Sequence, residues 1–481
     1  MTDRIVIVGN GMAGTRLAGE LSTRGGDRKV TVLGAEPHRA YNRILLSTLL
    51  TGAIGEPDVQ LTEVAGHGVD LRTGVRVTAI DREDRTVRTD RGDQIHYDHL
   101  VLATGSRAVV PPLTGLTGLT GGEPPDRVVS FRTLDDCRRI LAIADRAHRV
   151  LVLGGGLLGL EAARGLAGRG LEVTVVHPVP YLMERQLDPA AAAVLAGTLA
   201  GLGVTTQLAV PATAVLAGPR GVRLELADGR SLDADLLVLA CGVRPDTALA
   251  TAADLAVRQG VLVDDRLRTN DRRISAIGDC AQHGETLTGL VAPAWAQARV
   301  LAQLLSGADP SARYRPRPVV TRLKTAGIDL AAMGDPGDGP GEELTFTDPA
   351  AGTYARLRIN HERLTAAILL GDNPSVGTVI QLFDRGQPVP SDRRSLLLGR
   401  APGPGSAEPA STPALMPAVA TVCHCNNVNK GTLVESWRRG ARTVDEVVAA
   451  TRAGTGCGSC RDAVAGIVDW LSTVESVEVG R

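Results

Sequence analysis

From Arg4 the chain reads RIVIVGNGMAG: an unbroken apolar run, Ile5 to Val8, gives way to glycines. A short apolar run without polar alternation, ended by a turn, predicts a strand buried on both faces of a parallel sheet. Thr15 to Leu21 then reads as helix, and KVTVLGAE from Lys29 as the next strand. The same order recurs at RVLVLGGGLLGLEAARGL from Arg149, followed by the strand EVTVVH, which ends at His177. HLVLATGSR from His99 and ISAIGDCAQ from Ile274 are two more such strands, ending in Ala103-Thr104-Gly105 and Gly278-Asp279. Strands alternating with helices predict an α/β fold with parallel sheets.

Each strand–helix junction carries G-x-G-x-x-G: Gly9, Gly11 and Gly14 in the first, Gly154, Gly156 and Gly159 in the second. In this context the first glycine permits a tight turn and the second lets a pyrophosphate approach the backbone. The third lets helix and strand pack closely, and the helix N-terminus presents its positive end to the phosphates. One such match in a glycine-rich chain is weak, and two in the right context are much stronger. Glu36 lies about twenty residues past the first motif, where an acid can bind ribose hydroxyls. The equivalent place after the second motif holds His177, neither the acid usual for NAD nor an arginine usual for NADP. Weak discrimination between NADH and NADPH is the expectation from that substitution.

These motifs resemble the flavoproteins with two dinucleotide-binding domains, FAD on the first and a nicotinamide nucleotide on an inserted second. AYNRILLS from Ala40, LMERQLD (Leu182 to Asp188), TRLKTAGIDLAAMGD from Thr321 and RLTAAILLGD from Arg363 narrow the likeness. They resemble the flavin half of NAD(P)H-dependent nitrite reductase large subunits and the electron-transfer subunit of assimilatory nitrate reductase. AYNRILLSTLLTG lacks the cysteines that disulfide reductases of this superfamily carry there, so a disulfide substrate is not expected. The resemblance implies FAD contacts from Gly9, Gly11, Met12, Ala13, Gly14, Glu36, Arg43, Val77, Thr104, Gly105, Arg132, Gly278 and Asp279. It implies NAD(P) contacts from Gly154, Gly156, Leu157, Leu158, Gly159, His177 and Gly242, with Glu161 and Arg43 as catalytic candidates at the flavin.

The last part of the chain differs in kind. GRAPGPGSAEPASTPALMPAVA from Gly399 reads as a linker, spanning ~25 Å if random and more if extended. Beyond it, four of the seven cysteines gather as Cys423-x-Cys425 and Cys457-x-x-Cys460. Segments between and after them read as helices, one opening on Thr443 with Glu446 placed for a capping box. Four thiolates suit either a [2Fe–2S] cluster or zinc, and spacing alone does not separate the two. The segment with AGTGCGSC resembles the bacterioferritin-associated-ferredoxin-like [2Fe–2S] domain, which implies the cluster. A hydride donor delivers two electrons and such a cluster accepts one, so a flavin belongs between them.

Composition narrows the rest. The chain has 481 residues, too many for one core, with 43% apolar and 22% charged residues and a net charge of −1. Without a basic tract, nucleic acid and anionic membrane are poor partners. With no signal-like start and no long apolar run, the expected compartment is the cytoplasm. Cys137, Cys241 and Cys280 lack paired spacing and read as buried inert thiols, leaving no further four-cysteine set for a [4Fe–4S]–sirohaem centre. The expectation is therefore a chain that passes electrons on and does not itself reduce nitrite. Its partner would be a sirohaem nitrite reductase or a molybdenum nitrate reductase subunit. The expected layout is an FAD domain from 1–112 and 245–320, an NAD(P) domain from 113–244 and a small α+β domain from 321–395. A linker from 396–420 and a helical [2Fe–2S] module from 421–475 complete it. A reductase of another ferredoxin-like or rubredoxin-like protein, or an iron-dependent docking protein, are the competing readings.

Overall fold

In the computed structural model, residues 3–61, 68–116, 125–399, 413, 416–418, 420–423, 428–454 and 460–479 are described. The chain divides into two units. The first comprises Met1–Arg43, Gly55–Val109 and Gly242–Arg317; the second Ile44–Ile54, Val110–Cys241 and Pro318–Arg481.

The run at Ile5 is the central strand, Asp3–Val8, of the first unit's five-stranded sheet. Across that sheet the order is Ile274–Ala276, His99–Leu102, Asp3–Val8, Arg28–Gly34 and Val69–Thr73, all parallel. The helix Met12–Thr23 packs on it and against the helix Val291–Ser306. Ile5, Ile7, Leu100 and Val101 are fully buried, which is why their strands show no polar alternation.

The second unit repeats the plan. Its parallel sheet has the order Val204–Gln207, Glu172–Val176, Arg149–Leu153, Leu236–Leu239, Val128–Ser130, with the helix Leu157–Ala167 following the third of these. A five-stranded antiparallel sheet follows, in the order Val320–Thr325, Ile328–Met333, Arg363–Leu370, Thr353–Asn360, Glu342–Asp348. The helix Val376–Arg385 packs on its Arg363–Leu370 strand. The C-terminal part has a two-stranded ribbon, Thr421–Cys423 with Val428–Asn429, and helices Lys430–Arg438, Val444–Thr451 and Arg461–Val479. Its helices pack around their own core, which includes Leu433, Val447, Val464 and Ile467. The expected cap is present: Thr443 Oγ1 accepts the Glu446 N–H at 3.2 Å, and Glu446 Oε2 accepts the Thr443 N–H at 3.1 Å.

Two expectations shift. The linker expected from 396 starts later, because Ser395–Leu398 is a short helix and Leu396 is buried in the core of the antiparallel-sheet domain. Most of its remainder, 400–412 with 414–415 and 419, lies outside the described residues. AYNRILLSTLLTG is also divided, with Arg43 in the first unit and Ile44–Ile54 in the second. There Arg169 Nη1 donates to the Leu50 carbonyl at 3.4 Å, and Thr51 and Leu50 lie against Gly165, where the helix Leu157–Ala167 has no side chain to hold them off.

Candidate dinucleotide and cluster sites

Both glycine turns share one geometry. Gly9 has φ +120°, and a Cβ there would lie 2.1 Å from the Ala103 carbonyl oxygen; Gly154 has φ +121°, with the Ala240 oxygen at 2.3 Å. A Cβ on Gly14 or Gly159 would lie 2.0 Å from the carbonyl oxygen of Gly9 or Gly154. The fold itself thus demands the first and third glycines. The second ones are different: Gly11 and Gly156 each N-cap their helix, and a Cβ on either would meet nothing within 4 Å. Gly11 has φ −85° and ψ −172°, open to any residue. Free space, helix N-termini without a side-chain cap bond and their positive dipole ends form the cradle a pyrophosphate fits. Met12 and Ala13 open the first helix, as Leu157 and Leu158 open the second.

Around the first turn several of the predicted flavin residues come together. Gly278, with φ +77°, sits so close that a Cβ would lie 3.0 Å from Ala13 Cβ. The Gly278 N–H donates to Gln297 Oε1 at 2.7 Å, and Trp295 Nε1–H donates to the Met12 carbonyl at 3.1 Å. Ser106 Oγ donates to Asp279 Oδ2 at 2.9 Å, and Thr104 Oγ1 to the Asp246 carbonyl at 2.6 Å. Gly105 has φ +75° and open space where a side chain would be. Glu36 accepts from Tyr41 Oη at 2.6 Å and from Arg43 Nη2, while the Arg43 guanidinium stacks 5.0 Å from the Tyr41 ring centroid. Burial works against the charge on Arg43, but Tyr41, Glu36 and Asp279 outweigh it and raise its pKa above the ordinary arginine value. Val77 is buried at the start of the strand Val77–Asp81. Trp295 and Gln297 carried no motif signal, since their partners lie on other segments.

The remaining predicted residues belong to other segments. Glu161 is 5% exposed on the helix Leu157–Ala167 of the second unit, whereas Arg43 belongs to the first. Arg132 precedes a helix capped by Thr133, and its N–H donates to Asp136 Oδ2 at 3.0 Å. Gly242 has φ +92° and open space at its Cα. His177 is buried, and neither ring nitrogen is idle. Nδ1 accepts the Gly155 N–H at 3.1 Å, which leaves the ring proton on Nε2, 3.1 Å from Glu184 Oε2. His177 therefore braces the second turn.

Of the four clustered cysteines, Cys423 ends the first ribbon strand and Cys460 directly precedes the last helix. Both are buried in the core of the C-terminal helices, 0% and 5% exposed. Cys425 and Cys457 lie outside the described residues. Of the other three thiols, Cys137 and Cys280 are buried as expected, while Cys241 is only half-buried; burial pushes the Cys241 thiol up to about 11 and raises that of Cys280.

Residues 3–298 match the pyridine nucleotide-disulphide oxidoreductase family. The chain belongs to that family. Within this oxidoreductase, residues 319–385 match the rubredoxin NAD+ reductase C-terminal domain and 421–470 the BFD-like [2Fe-2S] binding domain. The chain is 34% identical over 96% of its length to nitrite reductase [NAD(P)H] of Bacillus subtilis, covering 57% of that protein. It is 33% identical over 98% of its length to the assimilatory nitrate reductase electron transfer subunit of the same organism, covering 60% of that protein. The chain thus spans less than two thirds of each of these curated relatives. Among solved structures, putidaredoxin reductase in covalent complex with putidaredoxin has a TM-score of 0.72 at 27% identity, covering 80% of this chain and 94% of that one. The cofactors of this oxidoreductase are FAD, NAD(P)H and a [2Fe–2S] cluster, so the cluster prevails over zinc. No helix among the described residues is long and apolar enough to cross a membrane.

Proposed function

We propose that the chain takes electrons from NAD(P)H and passes them, by way of FAD and the [2Fe–2S] cluster, to a separate reductase of nitrite or nitrate assimilation in the cytoplasm. The observation that carries this reading is the pair of matched cradles, each with its second glycine facing open space. FAD supplies the exchange between a two-electron donor and a one-electron acceptor. In this reading 1–112 and 245–320 hold FAD and 113–244 hold the nicotinamide nucleotide. The first turn's helix amides bind the flavin pyrophosphate, and Asp279, oriented by Ser106, bonds the ribityl chain. The paired arginine and carboxylate at Arg43 and Glu36 border the flavin from the same unit. Cys423, Cys425, Cys457 and Cys460 ligate the cluster. Kinship with the nitrite and nitrate reductase relatives supports the pathway.

A second reading, reduction of a free ferredoxin-like or rubredoxin-like protein, draws on the domain match at 319–385 and the putidaredoxin reductase likeness. The two separate in an anaerobic assay with NAD(P)H as donor. The first reading expects sustained turnover with a sirohaem or molybdenum reductase protein and little with ferredoxin or rubredoxin. The reverse order of rates would overturn it.

A further inference from the structure

The second dinucleotide site lacks an acid where its sheet strand ends, and the structure supplies one from elsewhere. Gly155, between the first two motif glycines, is held on both sides. Its N–H donates to His177 Nδ1 at 3.1 Å, and its carbonyl accepts the Met183 N–H at 3.0 Å. A Cβ on Gly155 would lie 2.7 Å from Leu182 Cδ2 and 2.8 Å from the His177 ring, so the loop lies flat on the turn. Met183 bends the loop with φ +52°, and Leu182 and Met183 are buried. The next residue, Glu184, then turns its carboxylate back to His177 Nε2, 3.1 Å away, with 35% of its side chain exposed.

We propose that Glu184 is the specificity residue of this site: it accepts the 2′-hydroxyl of the NADH ribose and repels the 2′-phosphate of NADPH. The inference rests on the reading of the second turn as the nicotinamide-nucleotide site. In such folds the ribose is recognised by an acid at the end of the strand that follows the glycine turn. His177 occupies that end, and its Nε2 carries Glu184 one hydrogen bond beyond it. His177 is then a positioning residue. It fixes the tautomer with Nδ1 and spends its single ring proton on the carboxylate, leaving the acid's other lone pairs for a ribose hydroxyl. A 2′-phosphate brought to the same place sets like charges together, which disfavours it. The neighbouring Arg185 argues the other way. It is exposed, and among the described residues it has no hydrogen bond or ion pair to hold it over the turn, whereas Glu184 has its anchor.

The test uses the full-length, flavin-loaded protein and two ligands that carry no hydride, ADP-ribose and 2′-phospho-ADP-ribose, measured by titration calorimetry. Wild type is expected to bind ADP-ribose about tenfold or more tightly, the scale of a charge-assisted hydrogen bond. Glu184→Gln should lose most of that ratio. His177→Asn keeps an acceptor for Gly155 and drops the contact with Glu184, so the ratio should fall while flavin content holds. A wild-type preference for the phosphorylated ligand that Arg185→Ala abolishes would overturn the proposal. So would an unchanged ratio in Glu184→Gln. Binding of neither ligand would instead remove the second turn as a nucleotide site.

Discussion

Replacing Gly11 with alanine should leave the empty protein nearly as stable and weaken the loaded one. The backbone at Gly11 has φ −85° and ψ −172°, and a Cβ there meets nothing within 4 Å. Alanine at such a position restricts the unfolded chain without strain, which stabilises by about 0.4–1 kcal/mol, but it is a poorer N-cap than glycine by a similar amount, so the two offset. The same methyl group fills the space where the pyrophosphate meets the backbone. If it costs ~3 kcal/mol of contact, flavin binds about a hundredfold more weakly. At a flavin concentration that stabilised wild type by about 2.7 kcal/mol, almost all of that stabilisation disappears. Valine should weaken binding further. Gly14→Ala provides the contrast, because its Cβ would lie 2.0 Å from the Gly9 oxygen and must disturb the turn whether or not flavin is present. The assay is urea unfolding of flavin-free and flavin-saturated protein, with a flavin titration by fluorescence quenching. Wild-type flavin affinity in Gly11→Ala would refute the pyrophosphate cradle, and a flavin-free loss above about 1 kcal/mol would refute the open space at Gly11.

Three further outcomes are expected. Cys457→Ser should lose iron and sulfide but keep FAD and its reduction by NAD(P)H, because the cysteine core is separate from the first unit's core; retained iron would count against the ligand set. Truncation after Gly399 should leave a folded flavoprotein active toward dyes, since the core containing Leu396 is then intact; failure to hold FAD would contradict that boundary. His99, buried and bonded through Nε2 to Ser275 Oγ at 3.0 Å, has its pKa lowered to about 4, first by burial and then by Arg268. Its neutral form is favoured in the fold, so stability is fully present above the unfolded value of about 6.5 and is lost as pH falls toward 4. Between pH 7.5 and pH 5 that loss amounts to about 2 kcal/mol, absent in His99→Gln; equal pH slopes for the two proteins, by urea unfolding, would show that His99 is not the cause.

The features legible in the sequence were the local ones. Each glycine turn lies within about ten residues of its strand and helix, and the Thr443 cap within four of Glu446, so neighbouring residue types specify them. The helix expected from Thr15 to Leu21 runs from Met12 to Thr23, because Gly11 caps it without a side chain that would mark the start. Long-range contacts were not legible. Trp295 reaches Met12 across 283 positions, and Gln297 reaches Gly278 from another element. The second site shows the same limit most clearly. LMERQLD has no regular period, and its bend sits on Met183 with φ +52°, where no glycine announces it. Sequence alone left His177 facing the ribose, so that His177→Glu would favour NADH. The fold instead buries His177 between Gly155 and Glu184, and an acid there would lose the donor to Glu184 and meet a second carboxylate.

The most direct test of the electron path is an anaerobic titration of the full-length, cofactor-replete protein with NADH, followed by absorbance and electron paramagnetic resonance together. The flavin bands should bleach, and a reduced [2Fe–2S] signal should appear that is missing from Cys457→Ser. Flavin bleaching in wild type with the cluster left oxidised would contradict the account.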